Sequence, residues 1–213
     1  MPLSKGVSQP KSDKGRRTRA RFIEAGKAVF AREGFRKARI VDIAAEANAA
    51  YGAFYHYFDS KESLFREIAE ETEVTLLSMD HVPHNQAESH DPYERIRESN
   101  RSYLSAYRRN AGILKVIEEV SHYDDEVRAI RQKRQDEFGA RQSASIVRLQ
   151  RDGRADPTVD ARYAAMGLSS MVAAFAAALF RPDTPYDFDK AVDQLTILWA
   201  NALGIEGPGE ERS

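Results

Sequence analysis

The chain has 213 residues, of which 42% are hydrophobic and 31% charged, and this length can bury the core of one large or two small domains. It contains no cysteine, which excludes disulfide scaffolds, thiolate metal sites and cysteine nucleophiles. The net charge of −1 is unevenly distributed, because the first 58 residues hold 12 basic and 5 acidic side chains and the remainder holds 20 and 28. A basic N-terminal part favours contact with a polyanion, and a solvated basic tail over Lys5 to Arg21 is the alternative.

Targeting and membrane segments are not expected. Met1 to Lys14 is polar and has no apolar stretch of the kind found in a secretory signal. Ala164 to Phe180 approaches membrane length, but about 17 residues fall short of the roughly 20 that a spanning helix needs. Ser169 and Ser170 also interrupt this stretch. We therefore expect a buried helix there, no membrane association and a cytoplasmic protein.

Helical periodicity dominates the chain, and the alternation typical of strands is nearly absent. About nine helices and no sheet are predicted, so the expected fold class is all-α. Gly34, Gly153 and Gly204 follow three of these helices, where a left-handed glycine commonly ends a helix. The predicted helices cover approximately residues 14–32, 40–47, 51–57, 61–77, 91–107, 110–120, 124–151, 157–180 and 187–204.

Capping residues mark several of the predicted helix starts. An acidic or amide side chain just before a helix accepts hydrogen bonds from its free N–H groups, and proline fits the first helical position. The predicted caps are Asp59 with Glu62 as a capping box, Asp91 with Pro92, Asn110, Asp156 with Pro157, and Asp187.

The two short helices over 40–47 and 51–57 are joined by about three residues and are too short to be stable alone. They must pack against the first helix, which leaves the outer face of the second short helix free. A major groove about 12 Å wide admits one helix, so this pair is predicted to be a DNA-binding helix-turn-helix. The residues predicted to form its small core are Phe22, Ile23, Val29, Phe30, Ile43, Phe54 and Phe58.

The aromatic run from Tyr55 to Phe58 has a purely structural alternative, in which its members form core. Four successive side chains cannot all face inward on a helix with about 3.6 residues per turn, so at least one or two must lie outside. Hydroxyl groups of outward tyrosines are able to bind phosphate.

The stretch from Arg17 to Phe65 resembles the DNA-binding region of TetR-type transcriptional regulators. The resemblance implies an all-helical homodimer that represses or activates transcription and is released by a small ligand. It also implies that Tyr55, Tyr57 and Lys61 contact DNA and that residues 50–53 read bases. The matching elements are Phe30-Ala31-Arg32-Glu33-Gly34-Phe35, Asp42-Ile43-Ala44, Gly52-Ala53-Phe54-Tyr55-His56-Tyr57-Phe58, Lys61-Glu62 and Leu64.

This sequence departs from the family pattern in three places. The turn is Ala47-Asn48-Ala49 instead of Ala-Gly-Val, and asparagine tolerates the left-handed backbone that such a turn needs. Arg39 stands where a Ser or Thr cap is usual, which predicts a phosphate contact instead of a capping contact. Tyr51 and Ala53 replace commoner polar residues, so the operator is left open. The predicted DNA contacts are Arg17, Arg39, Ala50, Tyr51, Gly52, Ala53, Tyr55, His56, Tyr57 and Lys61.

The C-terminal helices predict a dimer. The helix over 163–180 is apolar nearly all round and rich in small residues, which is explained if it lies between its own core and a partner. Together with the last helix, two copies would form a four-helix interface. A central core helix in a monomer is the alternative.

An effector pocket is expected inside the helical body. Two methionines among aromatics suit an adaptable apolar pocket for a lipophilic or aromatic ligand, although each residue could equally be plain core. The predicted lining residues are Leu76, Tyr103, Tyr107, Ile117, Val120, Phe138, Met166, Met171 and Phe175.

Catalytic and metal-binding motifs are absent from the sequence. There is no phosphate loop, nucleophile elbow or HExxH motif, so neither an enzyme nor a cofactor is expected. His81, His84 and His90 have a composition that could bind metal, but a solvated loop is the preferred interpretation and no metal is expected.

The predicted organisation is an arm over 1–14, a DNA-binding domain over 15–62, a ligand-binding and dimerisation domain over 63–205, and a tail over 206–213. The predicted function is a dimeric, ligand-responsive regulator, most simply a repressor, which binds a palindromic operator and a small effector. The alternative is a helical sensor or adaptor that binds a small molecule or protein without specific operator binding.

Overall fold

The computed structural model describes residues 12–79, 91–181 and 183–207. The first 11 residues of the predicted arm, the tail from 208 onward, and His81, His84 and His90 lie outside this range. Within it the fold is all-α, as predicted, with seven α-helices, one 3-10 helix and no strand. In chain order the elements are α1 (Asp13–Lys37), α2 (Ile40–Glu46), the 3-10 helix (Tyr51–His56), α3 (Lys61–Met79), α4 (Pro92–Ser121), α5 (Asp125–Arg151), α6 (Ala161–Leu179) and α7 (Phe188–Leu203).

Helix α4 is continuous through Asn110, where a break and a new helix start were predicted. The Asn110 amide Nδ2 donates to the Ala106 carbonyl at 2.9 Å, one helical turn back. The side chain therefore bonds within the helix instead of capping a new one. This accounts for one helix fewer than the predicted number.

Helix α6 begins four residues later than predicted. Asp156 accepts hydrogen bonds from the backbone N–H and the hydroxyl of Thr158, which makes a local turn around Pro157. Asp160 then caps α6 by accepting from the backbone N–H groups of Arg162 and Tyr163. The side chain nearer the apolar stretch is the cap, so Asp156 was the wrong choice.

The cap of α3 also differs from the prediction. Ser60 and Ser63 hydrogen-bond each other's backbone N–H groups, both at 3.1 Å, which is the reciprocal arrangement of a capping box. The predicted pair was one residue away, at Asp59 and Glu62. By contrast, Asp91 accepts from the backbone N–H of Tyr93, as a cap at that position should.

The first compact unit comprises Met1–Glu73 and Gly112–Arg131. Its core is aromatic: the Phe22 and Phe54 rings meet edge to face at 5.7 Å, and the Phe30 and Phe65 rings at 5.1 Å. Each buried phenylalanine contributes about 1.5–3 kcal/mol to folding. All seven residues of the predicted helix-turn-helix core are buried.

The second unit comprises Val74–Ala111 and Gln132–Ser213, and α6 packs against α7 within it. Asn100 on α4 donates to the Thr196 hydroxyl at 3.3 Å, which satisfies two buried polar groups at once. Helix α6 alone among the described residues is long and apolar enough to cross a membrane, and 22% of that stretch is buried. A single helix of this kind is weak evidence for a membrane span.

Candidate nucleic-acid interface

The turn between α2 and the 3-10 helix has the left-handed residue that the sequence predicted. Asn48 has φ 48°, and the Ala49 N–H donates to the Ala44 carbonyl at 2.9 Å. Ala44 and Ala47 are buried, so the small side chains allow close approach at this turn. The geometry is that of a compact helix-turn-helix packed against α1.

We define the recognition segment as residues 50–57. Its centre is a 3-10 helix, which is tighter than the predicted α-helix. Phe54 is fully buried, whereas Tyr51 and Tyr55 are 51% and 45% exposed. His56 is also exposed, and Tyr57 is half-buried against Phe22 at 5.8 Å between ring centroids. The aromatic run therefore divides between core and surface, as helical geometry requires.

Tyr51 and Tyr55 form a pair on the outer face of the recognition segment. Their hydroxyl oxygens are 2.9 Å apart and their rings meet edge to face at 5.6 Å. The hydrogen bond to Tyr51, together with partial desolvation, raises the pKa of Tyr55 above its ordinary value. The pair thus presents two hydrogen-bonded hydroxyl groups on an exposed face.

Arg17 and Arg39, two of the predicted basic DNA contacts, differ in the hydrogen bonds that they make within the protein. Arg17 on α1 is exposed, and the described part of the chain offers it neither a hydrogen bond nor an ion pair. Arg39 forms two hydrogen bonds with the Asp42 carboxylate, at 2.8 and 2.9 Å, and makes no side-chain cap on α2. The hydrogen bond from Arg39 lowers the pKa of Asp42, and the same bond raises the pKa of Arg39.

Lys61, a predicted phosphate contact, is bonded to the protein itself. Its ammonium donates to the carbonyl oxygens of Phe35 at 2.9 Å and Ala38 at 3.0 Å. It also lies 4.6 Å from the centroid of the Phe35 ring. The ammonium of Lys61 therefore makes three contacts within the protein, two of them with Phe35.

An open groove of about 480 Å³ lies beside the turn, between α1 and the end of α2. Arg21 and Glu24 contribute its charged wall on α1, and Glu46 contributes to the wall on α2. Arg21 is exposed and four residues after Arg17, hence on the same face of α1. Arg21 was not among the predicted DNA contacts, although its four-residue spacing from Arg17 is visible in the sequence.

The predicted effector residues fall into two groups. Ile117 and Val120 belong to the core of the first unit, and the others lie in the second unit. Of these, Leu76 and Tyr103 are buried, whereas Met166 is 62% exposed. The half-buried members are Tyr107, Phe138, Met171 and Phe175.

Aromatic contacts connect some of these residues to others that the sequence did not single out. Tyr103 and Tyr107 lie 6.2 Å apart, and the Tyr107 ring stacks on Phe180 at 5.9 Å. Phe175 contacts Tyr186 at 5.6 Å. Phe180 is the C-cap residue of α6, and Tyr186 lies between α6 and α7.

Apolar residues are exposed on α6 and α7. Tyr163 is 73% exposed on α6, and Ile197 and Leu198 are exposed on α7. Gly167, Ser170 and Ala174 are likewise exposed on α6. We call these residues, with Met166, the α6–α7 face. The described residues contain no group of three or more His, Cys, Asp or Glu side chains placed to hold a metal ion.

Two family models match the chain, one on each side of residue 70. Residues 22–68 match the model for bacterial regulatory proteins of the tetR family. Residues 96–204, just over half of the chain, match the C-terminal domain of the transcriptional regulator EthR. The chain belongs to the TetR family. Members of the TetR family are soluble transcriptional regulators, which are not enzymes.

A curated relative of this TetR-family chain is the "Probable acrEF/envCD operon repressor" of Escherichia coli (strain K12), 32% identical over 117 residues. The match covers 53% of this chain and 52% of the relative, so the chain spans about half the length of that relative.

Two solved structures show the same fold along most of the chain. FadR of Bacillus halodurans, a fatty acid degradation regulator, has a TM-score of 0.74 at 18% identity and covers 89% of this chain and 96% of that one. FadR of Bacillus subtilis, solved in complex with stearoyl-CoA, has a TM-score of 0.71 at 16% identity, with 86% and 98% covered.

Proposed function

We propose that this TetR-family protein is a DNA-binding transcriptional repressor whose recognition segment enters the major groove. The observation that carries the proposal is the division of that segment into the buried anchor Phe54 and the outward pair Tyr51 and Tyr55. Large aromatic side chains held outward, with hydroxyl groups that donate and accept, suit phosphate and base edges. Repression is favoured because the Escherichia coli relative is described as an operon repressor.

The roles of the contact residues follow from exposure and chemistry. In this proposal the exposed Arg17 binds phosphate, and the exposed Tyr55 donates a hydroxyl hydrogen to phosphate. Tyr51 contacts bases, and the methyl groups of Ala50 and Ala53 suit thymine methyls. Gly52, His56, Tyr57, Arg39 and Lys61 remain proposed contacts.

We propose that two copies pair through the α6–α7 face. A monomer would leave Tyr163, Met166 and Leu198 in water, whereas a four-helix interface buries all of them. A two-fold dimer requires a palindromic operator, with half-sites about 34 Å or a small multiple apart.

The proposed effector is a small lipophilic or aromatic molecule bound in the second unit. The stearoyl-CoA complex of the Bacillus subtilis FadR, whose fold this chain shares, supports a lipophilic class. The cluster of Tyr103, Tyr107 and Phe180 offers aromatic rings for it, of which Tyr107 and Phe180 are stacked. Such a ligand would release DNA by binding better to the dimer state that does not fit the operator. The proposed location is the cytoplasm.

DNA binding is tested with the duplex upstream of the chain's own gene and a random duplex of equal length. We expect a preference of at least about 1,000-fold for the specific duplex, and log Kobs should fall steeply with log salt. Equal, weak binding to both duplexes would refute the proposal and favour the sensor or adaptor alternative. Native mass spectrometry of the same sample reports the subunit number and any ligand retained.

A further inference from the structure

Three arginine side chains come together in the second unit, where the start of α4 lies beside the end of α5. They are Arg95, Arg148 and Arg154, and we call them the arginine cluster. We propose that the arginine cluster binds the phosphate group of a small ligand. The inference deepens the proposed effector binding in the second unit, and only its DNA-release measurement rests on the proposed function.

The end of α5 brings Arg148 and Arg154 close to each other. Gly153 has φ 69°, and its N–H donates to the Gln150 carbonyl at 3.1 Å. The Arg154 N–H donates to the Leu149 carbonyl at 2.8 Å, which completes a Schellman motif. This motif reverses the direction of the chain, so Arg154 lies beside the last turn of α5, which carries Arg148.

Asp91 connects this end of α5 to the start of α4. Its carboxylate Oδ1 lies 3.9 Å from Nη2 of Arg154 and accepts from the backbone N–H of Tyr93, as the cap of α4. The carbonyl of Asp91 accepts from the Arg95 N–H at 3.1 Å. Arg95 is therefore one helical turn from the residue that Arg154 contacts, and backbone hydrogen bonds fix the cluster at both helix ends.

The positive charges of the arginine cluster are only partly offset. The guanidinium groups of Arg95 and Arg148 form neither a hydrogen bond nor an ion pair with a described residue. Burial and then the charge of Arg148 lower the pKa of Arg95, the carboxylate of Glu98 opposes them, and Arg154 lowers it further. Like charges in a half-buried place repel each other, and an anion bound between them offsets that repulsion.

Phosphate suits this cluster better than a carboxylate does. A guanidinium stays protonated at pH 7 and presents a planar fork of N–H donors, which one carboxylate can saturate alone. A phosphate group offers three acceptor oxygens and about 1.5 to 2 negative charges at pH 7. The two uncommitted guanidinium groups of Arg95 and Arg148 match it in charge and in donor number.

The phosphate could belong to a free ion or to an ester with an apolar chain. The second source has a place for its chain on the same helix. Tyr103, from the cluster of aromatic rings proposed for the effector, lies eight residues after Arg95 and therefore about 12 Å along α4. An amphipathic phosphate ester would thus join the proposed apolar site to the arginine cluster.

The experiment titrates the full-length protein without DNA with inorganic phosphate, octyl phosphate and octanol, in calorimetry at constant ionic strength. The variants are Arg95→Gln and Arg148→Gln, and the matched control is Arg109→Gln, which removes an exposed arginine from α4. We expect octyl phosphate to bind each cluster variant at least about tenfold more weakly than the wild type, because a hydrogen bond to a charged group is lost. The control should bind it as the wild type does, and octanol should bind all four proteins equally.

Inorganic phosphate distinguishes the two sources of the anion. Tighter binding of octyl phosphate than of inorganic phosphate indicates an ester with an apolar chain, whereas equal affinities indicate the free ion. Either result supports the site if Arg95→Gln and Arg148→Gln weaken the binding. Affinities that both variants leave unchanged, or a wild type that binds neither anion, would overturn the inference. Thermal unfolding without anion checks folding, and Tm of each variant should stay within about 2 °C of the wild type.

The specific duplex connects the arginine cluster to the proposed function. Octyl phosphate should release the duplex from the wild type and from Arg109→Gln, and it should require at least about tenfold more ligand to release it from Arg95→Gln. If the wild type binds no duplex specifically, the proposed function fails, and the calorimetry without DNA still decides whether the arginine cluster binds phosphate.

Discussion

The recognition segment and the α6–α7 face both expose large side chains, but they differ in chemistry. The exposed rings of the recognition segment, Tyr51 and Tyr55, carry hydroxyl groups that bond each other at 2.9 Å. The residues of the α6–α7 face are aliphatic, small or thioether-bearing, apart from Tyr163 and Ser170. The first surface can exchange water for other polar partners, whereas the second gains only by being covered.

Exposure alone therefore does not identify a partner. A duplex is highly charged and hydrated, so a surface that reads it must keep hydrogen-bonding groups at its tip. A permanent subunit contact favours apolar side chains and small residues that let helices approach. The difference leads to predictions in which one surface is changed while the other is left intact.

The largest expected effect comes from removing the anchor beneath the recognition segment. Phe54→Ala should lower the free energy of unfolding by about 3–5 kcal/mol, because it empties a site that is fully buried among Phe22 and Phe58. Tyr55→Ala, one residue away and exposed, should change it by less than about 0.5 kcal/mol. Chemical denaturation measures both, and equal effects of the two variants would contradict the assigned orientation of the segment.

The next effect concerns the α6–α7 face. Leu198→Arg should yield monomers and lower operator affinity about 100-fold, since two half-sites no longer bind as one. The matched control is Val147→Arg on α5, because Val147 and Leu198 are each 51% exposed. Analytical ultracentrifugation gives the subunit number. A dimeric Leu198→Arg protein, or a monomeric control, would place the subunit contact elsewhere.

A smaller effect is expected from a single hydroxyl group. Tyr55→Phe should weaken operator binding about tenfold, the value of one hydrogen bond to a charged group, and leave unfolding unchanged. Tyr163→Phe removes a hydroxyl from the α6–α7 face and should leave DNA binding unchanged, as measured by fluorescence anisotropy.

In Tyr51→Phe, the hydrogen bond that raises the pKa of Tyr55 is lost, so alkaline titration should show this pKa nearer to 10.

The smallest effect is a pH dependence in the first unit. Burial opposes ionisation of Asp124, but hydrogen bonds from Arg66 and from the first N–H groups of α5 outweigh it and lower its pKa. The ionised carboxylate therefore stabilises the fold above the unfolded-state pKa of about 3.9, and this contribution is lost as the pH falls through the lower folded-state value.

Asp124→Asn tests this directly, because asparagine still caps a helix but carries no charge. At pH 7 the variant should be about 1 kcal/mol less stable than the wild type, and the difference should shrink below about pH 4. A difference that stays constant from pH 7 to pH 3, measured by denaturant unfolding, would show that charge is not the cause.

Much of the fold could be predicted because local signals and burial agree. The core of the helix-turn-helix, the left-handed Asn48 and the cap at Asp187 all follow from short sequence patterns. Errors arose where two aspartates four residues apart could each cap a helix, as with Asp156 and Asp160. They also arose where a residue that often caps bonds within a helix, as Asn110 does. Tertiary packing decides between such options, and the pattern of a single sequence holds little information about that packing.

The candidate site was less predictable than its scaffold. The exposure of Tyr51 and Tyr55 follows from helical geometry, but their mutual hydrogen bond depends on side-chain orientation. The partners of Lys61 are 26 and 23 residues away in sequence, at Phe35 and Ala38, and no local pattern indicates them. A lysine at a helix start has the same appearance in sequence whether it binds phosphate or carbonyl groups.

Trp199 gives this protein a built-in optical probe. It is the sole tryptophan of the chain, it is 6% exposed on α7, and its indole N–H has no hydrogen-bond partner within the described residues. Tryptophan emission therefore originates entirely in the second unit and should be blue-shifted by its apolar surroundings. The first unit contributes no tryptophan emission. Titrating a candidate effector against unlabelled protein therefore reports changes in the surroundings of α7, without a contribution from the DNA-binding helices.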